Sequence, residues 1–131
     1  MITYKVNEAI SPEQMAKVFQ ESGIKRPTSD LARLKKMIDQ ADLLITAWDQ
    51  NELVGLARSL TDFAYCCYLS DLAVHSSYQK SGVGKALFEQ TRVAIGDQCS
   101  LVLLSAPGAM DYYPKIGMDQ AENAFVIKRK Q

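Results

Sequence analysis

The stretch Asp71-Leu72-Ala73-Val74-His75-Ser76-Ser77-Tyr78-Gln79-Lys80-Ser81-Gly82-Val83-Gly84-Lys85-Ala86-Leu87 decides how this chain is read. Its first residues end a run, 65–74, rich in aromatic and thiol side chains, which is the composition of a strand. A short polar segment follows, and Gly82 and Gly84 then open a helical run over 82–95, with Val83, Leu87 and Ala94 on one face. At a helix N-terminus the first backbone N–H groups have no partners and the dipole end is positive. Glycines let a phosphate approach that backbone closely, and Lys80 and Lys85 add local positive charge. The pattern suits a phosphate or pyrophosphate cradle; the plainer alternative is a tight strand-to-helix turn. Two familiar cradles do not fit. A P-loop would need Gly at Gln79 and Ser or Thr at Ala86. A dinucleotide fingerprint would need a third glycine at Leu87 and a place after the first strand.

Working outward, residues 99–105 are almost continuously apolar and suit a central strand covered on both faces. With 65–74 and 82–95 they form a strand-helix-strand crossover, most simply right-handed with parallel strands. Upstream, 43–48 and 53–60 are strand-like runs joined by the polar Asp49-Gln50-Asn51-Glu52, which predicts an antiparallel hairpin. Residues 2–6 alternate like a strand. Ser11 is a helix N-cap, with Pro12 at the first helical position and Gln14 completing a capping box; Met15, Val18 and Phe19 form the apolar face, and Gly23 is the stop. A second helix follows Asp30, with Leu31, Leu34, Ile38 and Ala41 as its stripe. A short helix over 109–115 and a last strand over 125–129 complete the order βααβββαβαβ, an α/β fold with a mixed, mostly antiparallel sheet and helices on both faces.

At 131 residues the chain suits one domain, 1–131. Lys+Arg and Asp+Glu number fifteen each, so a whole-domain electrostatic grip on nucleic acid or on an anionic membrane is not expected. His75 is the single histidine, which removes zinc sites built on a His pair; no metal is expected. Cys66, Cys67 and Cys99 are odd in number and lack CxxC spacing, so they are expected as buried thiols of a cytoplasmic protein rather than as a disulfide framework. The N-terminus lacks the basic start and apolar core of a signal peptide.

Gln79-Lys80-Ser81-Gly82-Val83-Gly84 resembles the Q/R-x-x-G-x-G/A motif of the GNAT superfamily of acyl-CoA-dependent N-acyltransferases. Leu72-Ala73-Val74-His75-Ser76-Ser77-Tyr78 resembles the strand before it, and Ala109-Met110-Asp111-Tyr112-Tyr113-Pro114-Lys115-Ile116-Gly117-Met118 resembles the late A-x-x-F-Y-x-x-x-G-F signature. The resemblance implies a GNAT-type fold that splays 65–74 from 99–105, with the pantetheine arm of acetyl-CoA in the gap along Leu72, Ala73 and Val74, pairing with the backbone of Leu72 and Val74. Backbone amides of Gln79, Lys80, Ser81, Gly82, Val83, Gly84 and Lys85 would then hold the pyrophosphate. It implies a transferase in which a primary amine attacks the thioester directly, with Tyr113 as the acid that protonates the leaving thiolate and Tyr112 as aromatic packing. Asp71 is the candidate base, with a solvated or structural carboxylate as the equal alternative, and Tyr68 and His75 stand behind it. Trp48, Phe63 and Tyr65 are candidates for lining the acceptor site, and the acidic Glu21, Asp30, Asp39 and Asp42 would suit a cationic amine. Ala106 stands where the family often has Asn, so a side-chain contact to the cofactor is not expected there. A non-catalytic acyl-CoA-binding or partner-binding module is the alternative, and small members suggest a homodimer.

Overall fold

The computed structural model describes every residue from Met1 to Gln131. Strand β1 (Ile2–Val6) leads into helix α1 (Pro12–Ser22) and helix α2 (Leu31–Asp39). Strands β2 (Leu43–Asp49), β3 (Glu52–Thr61) and β4 (Cys66–Val74) follow, then α3 (Val83–Ile95), β5 (Ser100–Val102) and the short α4 (Tyr112–Lys115). Spatial order equals chain order, β1-β2-β3-β4-β5; the first three pairings are antiparallel and β4–β5 is parallel.

Local chemistry sets the early boundaries. The Ser11 hydroxyl accepts from Gln14 N–H at 3.1 Å and the Gln14 side chain accepts from Ser11 N–H at 2.9 Å, so the capping box closes. Gly23 ends α1 at φ 83°. Met15, Val18 and Phe19 are buried with Leu34 of α2 against Leu44, Leu53, Leu56 and Ala73, forming one core on one face of the sheet. Each such side chain taken from water contributes about 1.5–3 kcal/mol. The opposite core packs α3, through Val83, Leu87, Phe88 and Ile95, on Ile45, Ala47, Val54 and Leu69. Helices thus cover both faces. At the β3–β4 turn the Asp62 carboxylate accepts from the N–H groups of Ala64, Tyr65 and Cys66, which pushes its pKa down to about 2.

Four expectations need correction. The expected strand over 125–129 does not form: it lies against no sheet edge, and an unpaired strand cannot satisfy its backbone. Phe125 and Ile127 are consequently 97% and 99% exposed. For the same reason 99–105 is not a central strand. Only Ser100–Val102 pairs, at the sheet edge, and Val102 and Leu104 face solvent. On α3, Ala94 is exposed and Thr91 takes its expected place in the buried stripe, with its hydroxyl donating to Leu87 C=O at 2.8 Å. Of the three free cysteines only Cys67 is buried; Cys66 is exposed.

Candidate active site

β4 is held on both sides only at its beginning. Its pairing with β5 ends at Tyr68 opposite Val102, while its pairing with β3 continues to Val74. Beyond Tyr68 the two parallel strands part, leaving one edge of β4 free. The register opposite β3 slips between Leu69 and Asp71, so Ser70 is an extra, bulged residue. A bulge changes which side chains face which layer. Cys67 and Leu69 point to the α3 core, whereas after Ser70 it is Leu72 and Val74 that pack there and Ala73 that joins the α1–α2 core. His75 N–H donates to Val54 C=O at 2.8 Å, on the β3 side. Strand alternation therefore turns the amides of Leu72 and Val74 toward the gap and that of Ala73 toward β3. Of the three residues expected along the pantetheine arm, Ala73 offers the gap no backbone group. The Val74 C=O is engaged by the Gln79 amide at 2.9 Å, which leaves the Leu72 amide as the freest backbone group facing the gap.

The gap opens at one end onto the segment before α3. A single 3-10 turn, Ser76–Tyr78, leads in, with Ser77 N–H donating to His75 Nδ1 at 3.1 Å and Tyr78 OH donating to the Asp49 carboxylate on the β2–β3 hairpin. Gln79 also reaches Ser22 C=O at 3.3 Å, so its side chain ties the loop to α1 and β4. Lys80 (φ 66°) and Gly82 (φ 88°) both adopt the left-handed conformation, folding the chain tightly around its own amides. The backbone N–H groups of residues 80–85 donate to no protein acceptor. Unpaired amides at the start of a helix make an electropositive surface suited to an anion. The Lys80 and Lys85 side chains are exposed beside it. At Gly84 an added Cβ would stand 3.5 Å from Tyr112 Oη and 3.7 Å from a Val74 methyl, so α4 lies across the same mouth.

Tyr112 and Tyr113 sit edge to face with ring centroids 5.3 Å apart. Tyr113 is the more buried, and burial first, then the neighbouring Tyr112, pushes its pKa up. Tyr113 therefore stays protonated at neutral pH and keeps a proton to donate. Ala106, which stands where the family often has Asn, is exposed.

Asp71 has the surroundings of a structural carboxylate, the alternative to its role as base. It is fully buried, on the α1–α2 face, and both carboxylate oxygens are engaged. Arg26 Nε donates to Oδ1 at 2.5 Å and Arg58 Nε donates to Oδ2. Arg26 Nη2 also donates to Ser70 C=O at 2.9 Å and Arg58 Nη2 to Ser70 Oγ at 3.0 Å, so the two guanidiniums clamp the bulge itself. A carboxylate held this way fixes β4, and it is buried away from solvent. Neither arginine was singled out from the sequence. A signal existed: Arg58 and Asp71 are lone opposite charges in otherwise apolar strand runs, and a buried charge needs a partner.

The remaining candidates are dispersed. Trp48 is buried, its indole N–H donating to Thr46 Oγ1 at 2.7 Å. Phe63 and Tyr65 are exposed at the β3–β4 turn. His75 Nε2 lies 3.5 Å from Glu21. Tyr68 is partly exposed where the strands part. No group of three His, Cys, Asp or Glu side chains is placed to hold a metal ion.

Comparison with known proteins agrees with this geometry. The chain is 26% identical over 119 residues to GCN5-related N-acetyltransferase 1, chloroplastic, of Arabidopsis thaliana, covering 86% of this chain and 58% of the relative. It is 29% identical over 93 residues to an uncharacterized N-acetyltransferase of Prochlorococcus marinus, covering 66% of this chain and 52% of that one. The chain thus spans little more than half the length of these curated relatives. Its fold superposes on the crystal structure of a probable acetyltransferase from meticillin-resistant Staphylococcus aureus with a TM-score of 0.82 at 22% identity, covering 98% of this chain and all of the other. Residues 6–128 match the acetyltransferase (GNAT) domain family. With 6–128 of its 131 residues matched, this chain belongs to the GNAT acetyltransferase family.

Proposed function

We propose that this domain transfers an acetyl group from acetyl-CoA to a primary amine by direct attack. The observation that carries the reading is the free edge of β4 from Leu69 to Val74 leading into the unpaired amides of residues 80–85. An extended arm that needs backbone partners, followed by a pyrophosphate, matches that sequence of groups. Acetyl-CoA supplies an activated acyl carbon joined to a good leaving group. The amine nitrogen bonds to that carbon as the carbon–sulfur bond breaks, the thiolate takes the Tyr113 phenol proton, and the extra proton of the amine passes through water to restore the phenol. Tyr113 keeps its proton at neutral pH, so one is present there to give. A solved relative in fold, an aminoglycoside N-acetyltransferase in complex with CoA, superposes with a TM-score of 0.67 at 14% identity, covering all of this chain and 96% of that one.

Free-thiol release from acetyl-CoA across an amine panel tests the reading. Tyr113→Phe is expected to lower turnover about 100-fold, the lower end for a lost general acid, with acetyl-CoA affinity nearly unchanged. Acetyl-CoA binding without transfer to any amine would favour the non-catalytic module instead. A cytoplasmic setting fits, because it supplies the donor and keeps three unpaired thiols reduced. We also propose a homodimer, since the apolar Phe125, Val126 and Ile127 and, on the sheet edge, Val102 of β5 are each exposed. Light scattering at micromolar concentration should give twice the chain mass; a monomer overturns it.

A further inference from the structure

The clamp on Ser70 lies where the donor's acyl end must come to rest. Phosphates at the α3 start and an extended arm along Leu72 direct the thioester toward the point where β4 and β5 meet, near Tyr68 and Ser70. On the α3 side of β4, Leu72, Leu101, Leu103 and Ile116 pack on the core. An acceptor therefore arrives from the other face, and there it meets Arg26 and Arg58.

Two guanidiniums share one carboxylate, so the cluster carries a net positive charge. The Arg58 side chain is only 9% exposed, and its Nε and Nη2 are used, but Nη1 donates to nothing in the protein. That atom is not among the sealed, unpartnered polar atoms of the molecule, so it reaches solvent. A nearly buried guanidinium with one free N–H fork position suits an anionic oxygen. Arg26 is 26% exposed beside it, and Lys25 is exposed next in sequence.

The carboxylates that could have welcomed a cationic acceptor are engaged elsewhere. Glu21 faces His75 at 3.5 Å, and Asp30 caps α2 by accepting from Arg33 N–H at 3.1 Å. Asp39 pairs with Lys35 at 2.7 Å, and Asp42 accepts from Thr61 N–H at 2.9 Å.

Building on the transfer reading, we propose that Arg26 and Arg58 select an acceptor amine that also carries a carboxylate, and that Arg58 Nη1 is the group that binds it. The same positive field favours the neutral, attacking form of the amine, so transfer needs no carboxylate base. Polycationic acceptors are repelled.

The test compares amino acids with their own carboxamides, and with spermidine, as acceptors for acetyl-CoA in the wild-type protein. A carboxamide holds more of its amine neutral, so a preference for the acid runs against intrinsic reactivity. The expected result is a higher kcat/KM for the acid. In Arg58→Met the acid-to-carboxamide ratio should fall about 10- to 100-fold, the value of a charged hydrogen bond, mostly through KM. Arg26→Gln, a more exposed change, should lower the ratio less, and Arg58→Lys should restore part of it. A wild-type preference for carboxamides or spermidine overturns this inference while leaving acetyl transfer standing, as does an unchanged ratio in Arg58→Met. Failure to acetylate any amine overturns transfer, and this inference with it.

Discussion

The two sides of β4 present opposite kinds of polar group. Toward β5 and the start of α3 the chain offers main-chain N–H groups, on a loop whose side chains point to solvent or tie the loop down. Toward α1 and α2 it offers side chains, two guanidiniums locked on one buried carboxylate. The first site depends on conformation, because any residue has an amide but few adopt the left-handed turns at Lys80 and Gly82. The second depends on identity, because only arginine supplies a planar fork that holds Asp71 and Ser70 together. Substitutions that change charge should therefore act strongly on one side of the strand, and substitutions that change backbone freedom on the other.

The largest effect is expected at Asp71. Asp71→Ala leaves two guanidiniums without their shared partner, one of them nearly buried. Breaking a buried ion pair in this way costs about 3–5 kcal/mol. Thermal or urea unfolding should show the loss directly, as a midpoint drop of roughly 10 °C or more. A loss under about 1 kcal/mol would mean that the carboxylate does not hold the bulge, and the side-chain half of the comparison would fail.

The contrast also explains what could be read in the sequence. Capping residues Ser11, Pro12 and Gln14, the two glycines after β4 and the polar hairpin at Asp49–Glu52 act locally, so spacing alone located α1, the start of α3 and the β2–β3 turn. The clamp joins residues 26, 58 and 71, brought together only by the β3–β4 register and the placement of the α1–α2 connection. Asp71 was found, but its occupied oxygens were not, because the sequence does not show who its partners are. The C-terminal run misled for a related reason. Phe125, Val126 and Ile127 have strand composition, yet a strand exists only where a neighbour supplies hydrogen bonds, and none does here. The bulge at Ser70 was equally hidden, since it shifts the alternation of buried residues without leaving a Gly or Pro to mark it.

On the backbone side the effects should be smaller and ordered by conformation rather than charge. At Gly82 a Cβ would meet nothing within 4 Å, so any penalty comes from φ 88° alone. Holding alanine in a left-handed conformation costs about 1–2 kcal/mol. Gly82→Ala relieves that strain by reshaping the cradle, and acetyl-CoA affinity measured by calorimetry should fall about tenfold, since 1.4 kcal/mol is a factor of ten. Lys85→Ala removes an exposed positive charge next to the same amides. Exposed charge pairs contribute about 0.2–1 kcal/mol, so affinity should drop less than about fivefold, and the difference from wild type should shrink further as salt is raised. If Lys85→Ala instead weakens binding more than Gly82→Ala does, and salt does not narrow the gap, the cofactor is held by side chains. The two sides of β4 would then work by the same principle after all.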